Sequence, residues 1–408
     1  MEFIFAVLVS LVLAFFLSEA LRKAGIPRVV GQIAAGILLG MPVIKEAVFP
    51  GDALIAFGEF ADIAMILLFF FVGLEMNLRS LRRNFKESAL ISVFSTMVPF
   101  LIGLAMGHFL GLGLLVGAIL GIALAVSSQT ITFDLLEEFG LLRGRVGTII
   151  IGSGAMDDVI EFIILGVILA SIQLSDTALQ DIAVNVLAFV GVIAVFKIFA
   201  IPWLLSVFEG QKTRRALFTG AIVITALMAY LASLLGMSAL IGAFAAGVIV
   251  RQALLTGEHP RPWEEHEIAR TLDTVSFGFF VPLFFVFVGL NTDLGSMGSL
   301  DMGLILSFLA IVGTVGGSML GAVLAGRGAR EGMLIGLGVT PKGDVELVVA
   351  VLALESGVIS ESLFSAIVLM AVVTTLVAPL LFRHLCGRWK EELRLGGINF
   401  AGAAEAPA

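Results

Sequence analysis

Residues 146–169 read Val-Gly-Thr-Ile-Ile-Ile-Gly-Ser-Gly-Ala-Met-Asp-Asp-Val-Ile-Glu-Phe-Ile-Ile-Leu-Gly-Val-Ile-Leu, an apolar run that holds Asp157, Asp158 and Glu161. At ~100° per residue in a helix, the three acids fall within an arc of roughly 100°. Each ionised acid would cost about 2.5–3.5 kcal/mol at a bilayer centre, and a lipid-facing surface offers nothing that offsets this cost. We therefore expect the three carboxyl groups to face a packed interior, an aqueous cavity or a cation.

The whole chain has the composition of a membrane protein. It is 59% hydrophobic and 14% charged, and its mean hydropathy is +1.10. Apolar stretches of about 20 residues, the length that crosses a bilayer as a helix, recur throughout the sequence. We predict an all-α polytopic membrane protein with thirteen transmembrane spans, at residues 3–21, 27–44, 53–75, 88–111, 112–136, 145–172, 179–207, 213–235, 237–255, 269–292, 300–326, 329–355 and 360–385.

Positive charge is concentrated on one side of this predicted topology. The loops after odd-numbered spans, with their flanks, hold 21 of the 24 Lys and Arg residues, whereas Lys45 lies on the other side and Lys197 and Lys342 lie within spans. Short loops rich in Lys and Arg stay in the cytoplasm. The pattern predicts a multi-pass cell-membrane protein with its N-terminus outside and a short cytoplasmic tail at 388–408.

The sequence also repeats itself. Three pairs of similar segments occur in the same order and seven spans apart, at 30–39 and 241–250, 68–74 and 283–290, and 125–130 and 338–343. An odd offset inserts the second copy upside down, and such inverted repeats are typical of secondary transporters. We predict repeats formed by spans 1–6 and 8–13, with span seven as a connector. The Ala-Ala-Gly segments of spans two and nine are expected to allow close helix packing.

Polar residues interrupt two of the predicted spans at mid-membrane depth. Ser127-Ser-Gln-Thr130 breaks span five, and Thr340-Pro-Lys-Gly343 breaks span twelve, where Pro341 lacks a backbone donor. Unwound backbone at this depth is tolerated beside protein or water. The two breaks predict crossing broken helices whose opposed ends are balanced by charged neighbours. The candidates for that balancing role are Lys342, Asp344, Glu346 and Asp134.

These features together resemble a known family. The Ala-Met-Asp157-Asp158 motif, the stretch Pro341-Lys-Gly-Asp-Val-Glu346 and the segment Gly73–Leu78 are similar to segments of the monovalent cation/proton antiporter superfamily. The similarity is greatest to bacterial and archaeal sodium/proton antiporters with an Asp-Asp motif, and to related potassium/proton efflux proteins. The resemblance covers residues 1–387, which we predict to be one membrane transport domain, with core spans near 112–172 and 329–385 and a scaffold elsewhere.

The resemblance implies roles for individual residues. Asp158 would be the main carboxylate for sodium and proton, and Asp157 its partner, so that sodium sits at Asp158 and Asp157. Thr130, Ser127 and Ser128, with backbone carbonyls, would complete the cation shell, and Lys342 with Asp344 would balance the crossing helix ends. We further expect the protein to be a homodimer in a lipid bilayer. It is expected to use no cofactor, to bind no nucleic acid and not to be an enzyme.

One departure from the family pattern concerns charge. Electrogenic Asp-Asp members carry a lysine in the span that corresponds to 300–326, but this chain has no lysine there, and Thr314 takes its place. Glu161 adds a third carboxylate. Both differences make the site more acidic, so Thr314 and Glu161 are accessory candidates. Two alternatives stay open, electroneutral exchange or pairing of Asp157 with Lys342.

A single site would suffice for exchange. Burial penalises a charged carboxylate, and protonation removes the charge that holds a cation, so proton and cation compete. Alternating access then couples their movements in opposite directions. A potassium/proton antiporter is the main alternative. An ion channel or a solute symporter on a related fold is a remote one, as is an intramembrane aspartyl protease, which would need its two acids on different helices.

Overall fold

The computed structural model is built from helices, and the predicted all-α class is confirmed because no strand occurs among the described residues. The structure describes residues 2–75, 85–128, 131–132, 135–136, 141, 145–173, 188, 191–193, 195–196, 198–199, 214–235, 238–256, 271, 274–293, 297–343 and 345–395. Most of predicted span seven, including Lys197, lies outside these ranges.

Fourteen helices are assigned in the described ranges. In chain order they are α1 (Glu2–Arg22), α2 (Arg28–Leu39), α3 (Pro42–Val48), α4 (Ala53–Glu75), α5 (Phe85–Phe109), α6 (Leu114–Ala125), α7 (Arg145–Gln173), α8 (Arg214–Leu234), α9 (Ala239–Thr256), α10 (Val281–Leu290, preceded by a π-helical turn at Ser276–Phe280), α11 (Met297–Leu324), α12 (Ala329–Gly338), α13 (Val345–Glu355) and α14 (Glu361–Leu395).

Five of these helices, α1, α4, α5, α11 and α14, are long and apolar enough to cross a membrane. The pair α2 and α3 would count as a sixth, but the chain bends by 92° between them. Predicted span two therefore ends at Leu39, because Pro42 starts a new short helix. Shorter apolar helices lie in α6, α8, α9 and Ser276–Leu290. The thirteen spans and the inverted repeat stay predictions.

The chain divides into two compact units. Unit one comprises Met1–Ala20, Gly31–Met76 and Leu169–Leu290, and its helices approach at glycines. A Cβ atom added at Gly247 would lie 2.1 Å from the Phe70 carbonyl oxygen, and one at Gly36 would lie 2.1 Å from the Val286 carbonyl oxygen. Gly36 and Gly247 end the two Ala-Ala-Gly segments, so both segments do pack closely against neighbouring backbone, as predicted.

Unit two comprises Leu21–Val30, Asn77–Ile168 and Asn291–Ala408. It holds the three acids of α7 and both predicted helix breaks, together with α5 and α11. Glycines set the spacing here as well, since a Cβ at Gly317 of α11 would lie 2.1 Å from the Phe94 carbonyl oxygen of α5. Beyond the acids, towards the N-terminal end of α7, a buried apolar cluster joins helices of this unit, with members that include Ile91, Ile149, Ile150, Ala322, Leu334, Ile335 and Phe382.

Candidate functional site: buried carboxylates and two helix breaks

The three acids of α7 belong to unit two, and all three are buried. Their exposed fractions are 2% for Asp157, 9% for Asp158 and 4% for Glu161. On the opposite face of the same helix, Ile163 and Val167 are 65% and 56% exposed. The helix thus turns its acids away from its exposed apolar side, as expected from the energetic cost of an ionised acid in lipid.

Asp157 is held by hydroxyl groups of α5. The Thr96 hydroxyl donates to Asp157 Oδ1 at 2.7 Å, and the Ser95 hydroxyl donates to the same oxygen at 3.1 Å. Sequence reasoning missed both residues, because it searched predicted spans five, six and twelve for partners of the acids. The available signal was the spacing of Ser88, Ser92, Ser95 and Thr96 along one helix face.

The two predicted helix breaks are present and touch each other. Helix α6 ends at Ala125 and is followed by non-helical backbone at 126–128, while α12 ends at Gly338 and α13 begins at Val345. The Ser128 N–H donates to the Pro341 carbonyl oxygen at 2.8 Å. Backbone groups that the breaks free from helical bonding are therefore satisfied across the contact.

Side chains add to this contact. The Thr132 hydroxyl lies 2.8 Å from the Gly338 carbonyl oxygen and 2.9 Å from the Ser128 carbonyl oxygen, and can donate to either. The Thr375 hydroxyl of α14 donates to the Lys342 carbonyl oxygen. Residues of α14 thus hold the second break in place, together with the residues that follow the first.

Lys342 lies at the centre of the contact and is fully buried. Its Nζ donates to the carbonyl oxygens of Val126 at 2.5 Å and Ala125 at 3.2 Å, at the C-terminal end of α6. This helix end carries partial negative charge, so the ammonium group neutralises it. Lys342 also attracts the Asp157 carboxylate electrostatically.

The other candidate residues have varied positions. Ser127, Ser128, Thr314 and Glu346 are buried, whereas Thr130, Asp134 and Asp344 lie outside the described residues. The hydroxyls of Ser127 and Thr314 have no hydrogen-bond partner within the described part of the chain. Thr314 was expected where relatives place a lysine, but the hydroxyls that bond to Asp157 come from Ser95 and Thr96.

Charge around the site is unbalanced. Within the described ranges, five charged side chains are buried, and all five belong to unit two: Asp157, Asp158, Glu161, Glu346 and Lys342. Four acids and one cation give these buried groups a formal excess of three negative charges if every group is ionised. Buried carboxylates are stabilised by partners, by protons or by a cation, so these residues are candidates for binding protons or a cation. No group of three or more His, Cys, Asp and Glu side chains is arranged to hold a metal ion in the described residues.

The sequence matches the family model described as "Sodium/hydrogen exchanger, transmembrane" over residues 7–387. The Na(+)/H(+) antiporter of Enterococcus hirae is 28% identical, with 94% of this chain and 98% of that protein covered. The Na(+)/H(+)-K(+) antiporter GerN of Bacillus cereus is 26% identical, with 95% of this chain and 97% of that protein covered.

The fold also matches a solved structure. The sodium proton antiporter MjNhaP1 from Methanocaldococcus jannaschii superposes with a TM-score of 0.69, covering 97% of this chain and 99% of that chain at 18% sequence identity. At this identity the match concerns the fold alone.

Proposed function

The chain belongs to the sodium/hydrogen exchanger family, and on this premise we propose that it exchanges protons for sodium across a cell membrane. Its relatives are named as cation/proton antiporters, which are secondary transporters and not enzymes. The observation that supports the proposal is that buried carboxylates outnumber buried cations among the described residues of unit two. In the proposal, the acids of α7 hold either protons or a cation, and the two displace each other.

Asp158 is the exchanging carboxylate in this proposal. It is buried on the same helix as Asp157, and it can bind sodium when ionised and release it when protonated. Sodium is a hard cation that takes oxygen ligands, which Asp157, the Ser127 and Ser128 hydroxyls, Thr130 and the carbonyls freed at the first break can supply. Proton and cation then compete for one site, and alternating access turns competition into exchange.

Lys342 supports this site without binding the cation. Its contacts with the carbonyls of Ala125 and Val126 fix the crossing of the two breaks, and Asp344, Glu346 and Asp134 supply further charge near the helix ends. We also propose the topology predicted from the sequence, which has thirteen spans with an inverted repeat and a cytoplasmic C-terminus, and we propose that the protein is a homodimer. In that arrangement the core spans move against the scaffold spans.

Cation selectivity is tested by dye quenching in everted membrane vesicles. We expect sodium and lithium to collapse a preformed proton gradient across roughly pH 6–9, with potassium much less effective. The potassium/proton alternative has a specific basis, since one relative is named for both sodium and potassium. A larger response to potassium would favour that alternative, and cation flux with no proton movement would contradict antiport and indicate a channel.

Transport is proposed to be electroneutral, with one proton exchanged for one cation. The support is that Asp157 receives its hydrogen bonds from the neutral hydroxyls of Ser95 and Thr96, and no lysine lies at 300–326 to release a second proton. We expect no transport current on a solid-supported membrane after a sodium jump at symmetrical pH, while proton release remains measurable. A transient current that scales with protein amount would contradict electroneutrality and leave antiport itself intact.

A further inference from the structure

Three hydroxyl groups of α5 converge on the Asp157 carboxylate. Ser92, Ser95 and Thr96 are buried, and their spacing of three and one places them on the same side of the helix. The Thr96 hydroxyl donates to Asp157 Oδ1 at 2.7 Å, and the Ser95 hydroxyl lies 3.1 Å from the same oxygen. Ser92 also interacts with this carboxylate. Neutral donors of one helix therefore hold an acid of another.

The Thr96 bond departs from the usual behaviour of a hydroxyl in an apolar helix. Such a hydroxyl normally donates to a carbonyl oxygen one turn earlier in its own helix, as Thr225 does with the Ala221 carbonyl oxygen at 2.8 Å. Ser95 is intermediate, because its hydroxyl also lies 3.0 Å from the Ser92 carbonyl oxygen and can donate to that atom instead. Thr96 donates across to α7, which makes it the main donor to Asp157.

A fixed donor matters because the carboxylate group of an aspartate turns easily. Its terminal torsion has broad minima, and a carboxylate can bind a cation through one oxygen or through both. The bonds from Thr96 and Ser95 both end on Oδ1 of Asp157. They fix the plane of the carboxylate and engage Oδ1, so that Oδ2 is the oxygen left to serve a cation.

The hydroxyls orient Asp157 without changing the charge around it. Residues 88–107 of α5 and 302–324 of α11 contain no Asp, Glu, Lys or Arg. Lys342, at the second helix break, is the residue that attracts the Asp157 carboxylate electrostatically. The position and the charge balance of this ligand therefore depend on different residues, and each can be altered separately.

The orientation of a ligand affects which cation fits. Discrimination between ions depends on the size of the cavity, the number of ligands and their flexibility. A carboxylate held at one angle presents one oxygen at a set position, which suits a small cation such as sodium or lithium. A carboxylate that turns freely adapts to the longer ligand distances of potassium.

We propose that Thr96, assisted by Ser95, is a positioning residue that sets the cation selectivity of the exchanger by directing one oxygen of Asp157, Oδ2, towards the ion. This inference rests on the proposed function, and it leaves the competition of proton and cation at Asp158 as it is. Asp157 acts here as an oriented ligand, and Thr96 acts through it without touching the ion.

The test is Thr96→Val, which removes the hydroxyl and keeps nearly the same shape. Exchange driven by sodium or by potassium is measured in proteoliposomes at about pH 9, where competition by protons is weakest. The KM for sodium should rise by about tenfold, as expected for a lost hydrogen bond to a charged group, while the maximal rate stays within about twofold. The KM for potassium should change little, so the preference for sodium falls by a similar factor.

Two further variants separate positioning from packing. Thr96→Ser keeps the donor and should retain the preference of the unmodified protein. Thr225→Val is the matched control, because Thr225 of α8 is also buried but bonds to its own helix and lies in unit one. Should Thr96→Val fail to fold, Ser95→Ala is the smaller change, and it should shift the preference in the same direction by less.

Two results would overturn the positioning role. A lower maximal rate with both KM values unchanged would mean that Thr96 serves helix packing, and unchanged KM values at an unchanged rate would mean that the orientation of Asp157 does not govern binding. Calorimetric titration in detergent gives the Kd of sodium and of potassium whether or not either ion is transported. Failure of the antiport proposal is therefore distinguishable, because the unmodified protein would then show no sodium-driven proton release while the Kd values still test Thr96.

Discussion

Asp158→Asn is expected to abolish cation-dependent proton exchange, reducing it to the background of vesicles that lack the protein. The amide has nearly the same shape as the carboxyl group but neither carries charge nor takes up a proton. It therefore removes both sides of the competition at once, with little change in packing around a side chain that is 9% exposed. Dye quenching in everted vesicles measures the loss, and thermal unfolding in detergent checks that the fold is kept.

Asp62→Asn is the control for this variant. Asp62 lies within the long apolar helix α4, is exposed there, and belongs to unit one, whereas the acids of α7 belong to unit two. Its substitution should leave exchange close to the unmodified level. Exchange that survives Asp158→Asn would contradict the assignment of this residue, whatever the outcome for Asp62.

Lys342→Met is expected to destabilise the protein and to stop transport. It removes the one buried cation among the described residues, so that no buried positive charge remains there to balance the four buried acids. It also removes the side chain that donates to the carbonyl oxygens of Ala125 and Val126. Removing one partner of a buried charge pair typically costs about 3–5 kcal/mol. The measurement is the unfolding temperature in detergent, followed over a range of pH.

The pH dependence distinguishes charge balance from packing. Lowering the pH protonates carboxylates and removes the excess negative charge, so the loss of stability should be largest at alkaline pH and shrink on acidification. Lys86→Met serves as the control, because Lys86 is exposed on the first turn of α5 and should have little effect. A deficit of the same size at every pH would contradict the charge-balancing role of Lys342.

Several features of the site could be predicted from sequence because charged groups are energetically unfavourable in an apolar span. The features are three acids in an apolar helix and a lysine next to a proline at mid-span. Each raises the free energy of the protein unless its surroundings stabilise the charge. The structure accordingly buries Asp157, Asp158 and Glu161 and places Lys342 on the carbonyls at the end of α6. Family resemblance added roles for these residues, which the geometry alone does not assign.

The partners of Asp157 could not be found in the same way. Ser95 and Thr96 carry no charge, and a hydroxyl in a membrane helix usually bonds to its own backbone, as Thr374 does with the Met370 carbonyl oxygen. Nothing in the sequence distinguishes the two cases without knowledge of which helix lies opposite. The bend after Leu39 was missed for a related reason, since an apolar run continues through Gly40 and Met41 into the next helix.

The glycines of α11 set a register for unit two. Gly313, Gly317 and Gly321 are spaced by four residues, and a Cβ at each would come within 3.1 Å of atoms of α5, namely Pro99, Phe94 and Ile91. Sliding α11 along α5 by less than a turn would push side chains into backbone, whereas a shift of one whole turn would again set glycines opposite two of the three positions. The contact therefore resists small shear but is nearly degenerate in steps of one turn, about 5.4 Å. Any displacement of α11 along α5 would be a discrete jump. Asp157 of α7 is bonded to α5 and not to α11, so it would keep its hydroxyl partners before and after such a jump.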